Sequence, residues 1–248
     1  MEHSGLLKSY LIQQLTAAKK QLEMIGPDAD HENLHQFRVA LRRFRSVLSA
    51  YSRDFYAVDA VAKSMVKVTN PLRETDVFLA SVDAKQYPKL HKALRAFRKK
   101  QYKAVWKADT AVRFDHTLVQ LISDFSEIKL DPGKKQLFHV GKSLYASAEK
   151  ARKKLTKKSD EERIHEVRLR YKQVRYVLEF LDSSGLVDET KKLKKVKKLQ
   201  EHFGAIQDAV NQLDWLKDFC TTHPSDECRD LYKRRKKALK RLKKTFEL

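Results

Sequence analysis

Residues 34–48 read LHQFRVALRRFRSVL, and residues 164–178 read IHEVRLRYKQVRYVL. The two stretches share one pattern: an apolar residue, His, Arg three positions later, further basic residues at helical spacing, and a final Leu. Their apolar residues recur every three or four positions, as they do in an amphipathic helix. The pattern therefore predicts two equivalent helices in a fold that contains an internal repeat.

Helical geometry separates each copy into a basic face and an apolar face. The basic side chains lie within an arc of about 80° and form two basic ridges, each about 15 Å long: His35, Arg38, Arg42 and Arg45 in the first, and His165, Arg168, Lys172 and Arg175 in the second. The apolar side chains lie opposite: Phe37, Leu41, Phe44 and Leu48 in the first, and Val167, Tyr171, Val174 and Leu178 in the second. We predict that the apolar faces are core.

Composition extends the helical prediction to the whole chain. The 248 residues include Gly 6 and Pro 5, whereas average usage of these two residues would predict roughly 30. Few positions therefore remain for the tight turns of a β-rich fold. Apolar spacing predicts about eleven helices: 7–22, 30–51, 55–68, 72–82, 88–107, 114–125, 134–157, 160–181, 190–203, 205–219 and 225–246.

The weakest helical stretch, 124–133, carries the only Pro-Gly pair and divides the chain almost evenly. We expect one domain over 1–248, made of an N-terminal helical half (1–125) and a C-terminal helical half (134–248).

The net charge of +21 favours a polyanion or an acidic surface as partner. A hydrophobic fraction of 42% supplies a core and argues against a disordered basic tail. The sequence contains no run of 18 or more apolar residues, which is what a membrane-spanning helix would require. Cys220 and Cys228 match no zinc pattern, so we interpret them as incidental cysteines rather than as metal ligands or a disulfide framework. These features together favour a cytoplasmic location.

The basic ridges could be only the solvated faces of surface helices. Against that interpretation, no carboxylate occurs between Asn33 and Asp54, and arginine predominates on the ridges although lysine is plentiful elsewhere. The guanidinium group binds phosphate or carboxylate oxygens bidentately, which suits an anion site. Glu179 extends the second ridge, and it either holds an arginine of the site in position or forms an ordinary i,i+4 pair with Arg175.

Four motifs resemble those of the CHAD family, the conserved-histidine α-helical domain. They are HQFRVALRRFR at 35–45, LRETDV at 72–77, HEVRLRYKQVRYVLE at 165–179 and LQEHFGAIQD at 199–208. The sequence departs from the family pattern at Glu74, where Asp is usual, and at Phe203 and Ile206, where Leu is usual.

The resemblance implies an all-α fold of two four-helix-bundle-like halves, related by a pseudo-twofold axis around a central basic groove. It also implies inorganic polyphosphate as ligand and association with polyphosphate granules. The matching positions give the candidate polyphosphate-binding residues: His35, Arg38, Arg42, Arg43, Arg45, Arg73, His165, Arg168, Lys172 and Arg175. Arg73 either faces the groove or pairs with a carboxylate such as Asp208.

We expect a non-enzymatic binding protein with no cofactor and no metal, because the sequence shows no nucleophile elbow, no Walker-type loop and no carboxylate pair at metal-bridging spacing. The alternative is a protein that binds single-stranded nucleic acid or RNA, which a chain of this charge would contact at least non-specifically. The lysine-rich runs 191–198 and 233–244 are predicted to be amphipathic helices that combine solvated and ligand-contacting positions.

Overall fold

The computed structural model describes residues 5–52, 54–156, 159 and 161–245. These residues form ten α-helices and no β-strand. The helices are α1 (Leu6–Leu22), α2 (His31–Tyr51), α3 (Tyr56–Val68), α4 (Asn70–Ala80), α5 (Pro88–Val105), α6 (Ala108–Glu127), α7 (Lys134–Arg152), α8 (Glu161–Ser183), α9 (Thr190–Thr222) and α10 (Asp226–Thr245). The predicted all-α class is confirmed.

The helix prediction was wrong at Gly204, where a break was expected and α9 instead runs through. Gly204 is buried, and a Cβ atom built there would lie 3.3 Å from Nε of Arg168 on α8. Because Gly204 has no side chain, Arg168 can approach α9 closely. The local sequence gives no sign of this contact, since Arg168 belongs to another helix. Helix α6 also begins at Ala108, six residues before the predicted 114.

The apolar faces predicted for the two copies are core. Phe37, Leu41 and Phe44 of α2 are fully buried, and Tyr171 and Val174 of α8 are buried to the same degree. These side chains belong to one hydrophobic cluster that joins α1, α2, α6, α7 and α8. Burial of such aromatic and aliphatic side chains stabilises the fold by about 1.5–3 kcal/mol each.

A second, smaller cluster joins α4 and α5 to α9 and α10. Phe78 of α4 lies 4.5 Å from Trp215 of α9, measured between ring centroids. Tyr87 donates a hydrogen bond of 2.9 Å to Asp230 of α10. This cluster therefore holds α4 and α5 against the last two helices of the described chain.

Cys220 and Cys228 form a disulfide that joins the end of α9 to the start of α10. The interpretation of both as incidental cysteines was wrong. The turn after His223 reverses the chain and brings the two Cα atoms to 5.7 Å, which is a distance that permits a disulfide. A spacing of eight residues did not reveal this pairing, because it depends on where α9 ends.

Helix α6 ends at Glu127 and α7 begins at Lys134, so residues 128–133 form a linker inside the stretch 124–133. The division into two pseudo-twofold-related halves stays a prediction. For the candidate site, the important contact is that α2 and α8, which carry the two ridges, lie against each other, with α3 against α2 and α9 against α8.

Candidate anion-binding site

A cleft of about 230 Å³ lies between α2, α3 and α8. Its lining includes residues from both basic ridges: Arg42, Arg45, Ser46, Ser49, Asp59, Leu169, Lys172 and Gln173. Gln173 of α8 donates a hydrogen bond of 3.4 Å to Ser49 of α2 across one side of this cleft. We call it the ridge cleft. It brings Arg42 and Arg45 of the first copy together with Lys172 of the second.

Arg42 and Lys172 are the uncompensated cations of the ridge cleft. Within the described part of the chain, no carboxylate oxygen lies within the 4.0 Å ion-pair distance of either side chain. The pKa of Lys172 is lowered to about 8, mainly by burial and then by the positive charges of Arg42 and Arg168. The cleft thus holds two cations without carboxylate partners in the described structure, an arrangement that can accept an external anion.

The positive charge of Arg42 also acts on the pKa of His35 on α2 and of Arg73 on α4. Burial lowers the pKa of His35, and the charges of Arg73 and then Arg42 act in the same direction. Burial likewise lowers the pKa of Arg73, on which Asp76 acts in the opposite direction and Arg42 in the same direction. The His35 Nδ1 atom is buried with no hydrogen-bond partner among the residues that the structure describes. His35, Arg42, Arg73 and Lys172 thus form one group of basic side chains, which we call the central cluster.

Three other candidate residues are occupied by carboxylates. Arg45 binds Asp59 of α3 bidentately, with N–O distances of 2.9 and 3.0 Å. Arg175 donates to Glu179 at 2.9 Å, and Arg43 of α2 donates to the other oxygen of the same carboxylate at 3.2 Å. Glu179 therefore forms the i,i+4 pair with Arg175 of its own helix and also binds Arg43 of α2, so both roles predicted for it are present.

Arg38 was predicted to lie on the first basic ridge, but its side chain is buried. Its side chain is only 6% exposed. Its guanidinium donates to the carbonyl of Val66 at 2.5 Å, to the hydroxyl of Thr69 at 2.6 Å and to the side chain of Asn70 at 2.7 Å. Burial lowers its pKa to about 10. Arg38 holds the junction of α3 and α4, and so supports the helix that carries Arg73.

A second cleft, of about 210 Å³, lies between α8, α9 and α10. Its lining contains His165 and Arg168 of the second ridge together with Lys243 of α10. Arg168 donates to Asp208 of α9 at 3.0 Å, so the carboxylate that sequence offered as a partner for Arg73 pairs with Arg168 instead. Lys243 belongs to the predicted lysine-rich run 233–244, and the packing of α10 places it in the lining of the same cleft as His165.

The lysine-rich run 191–198 is largely exposed on α9, and part of it is paired. Lys192 lies 2.8 Å from Glu189, Lys195 lies 3.2 Å from Glu149, and Lys197 lies 3.9 Å from Glu179. These three lysines have local carboxylate partners, unlike Arg42 and Lys172.

The described residues contain no group of three or more His, Cys, Asp or Glu side chains that could hold a metal ion. None of the described helices combines the length and hydropathy needed to cross a bilayer.

Comparison with known proteins identifies the family. A search of curated proteins finds no match. Among solved structures, the crystal structure of the CHAD domain from the plant Ricinus communis is similar, with a TM-score of 0.72 and 22% sequence identity. The similarity covers 96% of this chain and 85% of that chain. The family model of the CHAD domain matches residues 9–217. The chain therefore belongs to the CHAD family.

Proposed function

We propose that this protein binds inorganic polyphosphate without hydrolysing it, and that the ridge cleft and the central cluster are the binding site. The observation that carries the proposal is the pair Arg42 and Lys172, two cations from different helices that share one cleft without a carboxylate partner among the described residues. The CHAD family, to which the chain belongs, is associated with binding of polyphosphate and triphosphate. That association agrees with the chemistry of the cleft.

Polyphosphate suits this arrangement because it is a linear anion with closely spaced charges and no bases to read. Recognition of such a chain requires charge density, which several guanidinium and ammonium groups at short spacing supply. Contacts to several phosphates would release condensed counterions, so affinity should fall steeply as salt rises. Delivery to polyphosphate granules would follow from the same binding.

Single-stranded nucleic acid is the alternative ligand. Proteins that bind single strands stack bases on aromatic side chains within the basic groove. The lining of the ridge cleft contains no aromatic residue in the described chain, and Phe37 and Phe44 are fully buried in the core. We therefore expect nucleic acid to bind only as a non-specific polyanion.

A double variant tests the site. Arg42→Ala with Lys172→Ala removes one charge from each ridge, and each lost charged contact should cost about 1.5–3 kcal/mol of binding free energy. The matched control is Arg113→Ala with Lys20→Ala, which also removes one arginine and one lysine. Arg113 and Lys20 are exposed on α6 and α1, away from the ridge cleft.

The measurement is a titration of labelled long-chain polyphosphate at physiological salt, with single-stranded RNA as competitor. We expect the site variant to lose at least a hundredfold in affinity, about twice the loss of one charged contact in free energy, and the control to change little. Equal losses in both variants, with both folded by circular dichroism, would show that net charge alone explains binding. Release of orthophosphate by the wild-type protein would contradict the non-enzymatic part of the proposal.

A further inference from the structure

Asp59 is the single carboxylate in the described lining of the ridge cleft. It lies on α3, and both of its oxygens accept hydrogen bonds from Arg45. The two side chains remain partly open to solvent, with 24% of Arg45 and 29% of Asp59 exposed. An arginine of the basic ridge is thus already occupied by an anion of the protein itself, in the geometry that a phosphate would use.

Among the cations in the described lining of the cleft, Arg45 alone is paired with a carboxylate. Arg42 and Lys172 lack carboxylate partners in the described structure, so their charge is available to a ligand at once. Arg45 becomes available only if its bond to Asp59 opens. A polyanion that enters the cleft must therefore either leave Arg45 unused beside a negative charge, or exchange one carboxylate for one phosphate on that guanidinium.

We propose that Asp59 competes with the ligand for Arg45 and so sets the affinity of the ridge cleft for anions, and that tight binding of a polyanion exchanges Asp59 for phosphate. The inference rests on the function proposed above. The carboxylate holds down the affinity of the cleft for every anion. An anion that presents several phosphates to Arg42 and Lys172 offsets this penalty, whereas a single phosphate does not.

The exchange has a signature in the salt dependence of binding. Each phosphate that binds a free cation of the protein releases counterions and steepens the decrease of affinity with salt. When Arg45 exchanges partners, the displaced Asp59 takes up a cation from solution and cancels that release. Removal of the carboxylate should therefore raise the affinity and also steepen the slope of log K against log salt by about 0.7, the contribution of one phosphate contact to a single strand.

The test compares Asp59→Asn with Asp115→Asn, using labelled long-chain polyphosphate and tripolyphosphate as probes at several salt concentrations. Asp115 is a matched control because it is also paired with a cation, at 3.1 Å from Lys19, but on α6 and away from the cleft. We expect Asp59→Asn to bind both probes about five- to tenfold more tightly than wild type, with the steeper slope, and Asp115→Asn to match wild type.

The same substitution in an Arg45→Gln background distinguishes competition for Arg45 from electrostatic repulsion between Asp59 and the ligand. If Asp59 acts through Arg45, most of the gain from Asp59→Asn should vanish when Arg45→Gln is also present, as the coupling in a double-mutant cycle. An unchanged gain in the Arg45→Gln background would overturn the exchange. A weaker affinity of Asp59→Asn in a folded protein would show that the carboxylate only orients Arg45, and it would also overturn the inference. In both cases wild type still binds polyphosphate. If wild type fails to bind either probe, the proposed function falls and the inference falls with it.

Discussion

Raising the pH from about 7 to about 9 should weaken polyphosphate binding roughly tenfold, and Lys172 should account for the change. The pKa of this ammonium is lowered to about 8 by burial and by the charges of Arg42, Arg168, Arg38 and Arg45. The arginines keep their charge throughout this pH range. The lowered pKa of His35 leaves that imidazole neutral. Lys172 is therefore the member of the central cluster that changes charge in this range.

The magnitude follows from proton linkage. A bound phosphate favours the charged ammonium and moves its pKa back toward the ordinary 10.5. With a pKa of about 8 in the free protein and about 10.5 in the complex, Lys172 takes up almost no protons on binding at pH 7 and close to one at pH 9. The affinity then falls about tenfold across the interval, and most of the fall lies above pH 8.

The assay is fluorescence anisotropy of labelled polyphosphate at constant ionic strength, with Lys172→Arg as the comparison. Arginine keeps the positive charge at both pH values, so this variant should bind with nearly constant affinity from pH 7 to 9. A decrease of the same size in Lys172→Arg would show that another group carries the pH dependence. A flat wild-type profile would refute the link between the lowered pKa and the binding site.

Three further predictions concern stability, measured as the free energy of unfolding in urea. Lys172→Met should raise it by about 1–2 kcal/mol at pH 7, because the folded protein no longer holds a desolvated ammonium among like charges. This gain in stability should shrink as the pH rises from about 8 toward 10.5, because the wild-type Lys172 is then uncharged in the folded state. Arg38→Ala should lower it by about 2–3 kcal/mol, since three hydrogen-bond acceptors at the α3–α4 junction lose a buried donor; a loss below about 0.5 kcal/mol would contradict its positioning role. Glu179→Ala should lower it by about 1–3 kcal/mol, because Arg43 and Arg175 then face each other without their shared carboxylate, whereas Glu179→Gln should retain part of the stability as one hydrogen-bond acceptor remains.

Local pattern determined the helices and their buried faces. The spacing of Phe37, Leu41 and Phe44 predicts a helix and its core side, and all three side chains are fully buried. Such spacing is sufficient because helix formation and the position of an apolar stripe depend on residues three or four positions apart. The same logic fails at Gly204, whose role depends on Arg168 of another helix.

The sequence by itself determined that two basic ridges exist, which side chains form them and which family they resemble. Only the tertiary structure decided which of those charges remain uncompensated. Arg45 is paired with Asp59, Arg43 reaches Glu179 across 136 positions of the chain, and Arg38 is buried at a helix junction. The choice of partner depends on which helices lie together, because an ion pair forms over about 4 Å of space regardless of distance along the chain. Arg42 and Lys172 stand out as the free cations of the ridge cleft only once those pairings in the described structure are known.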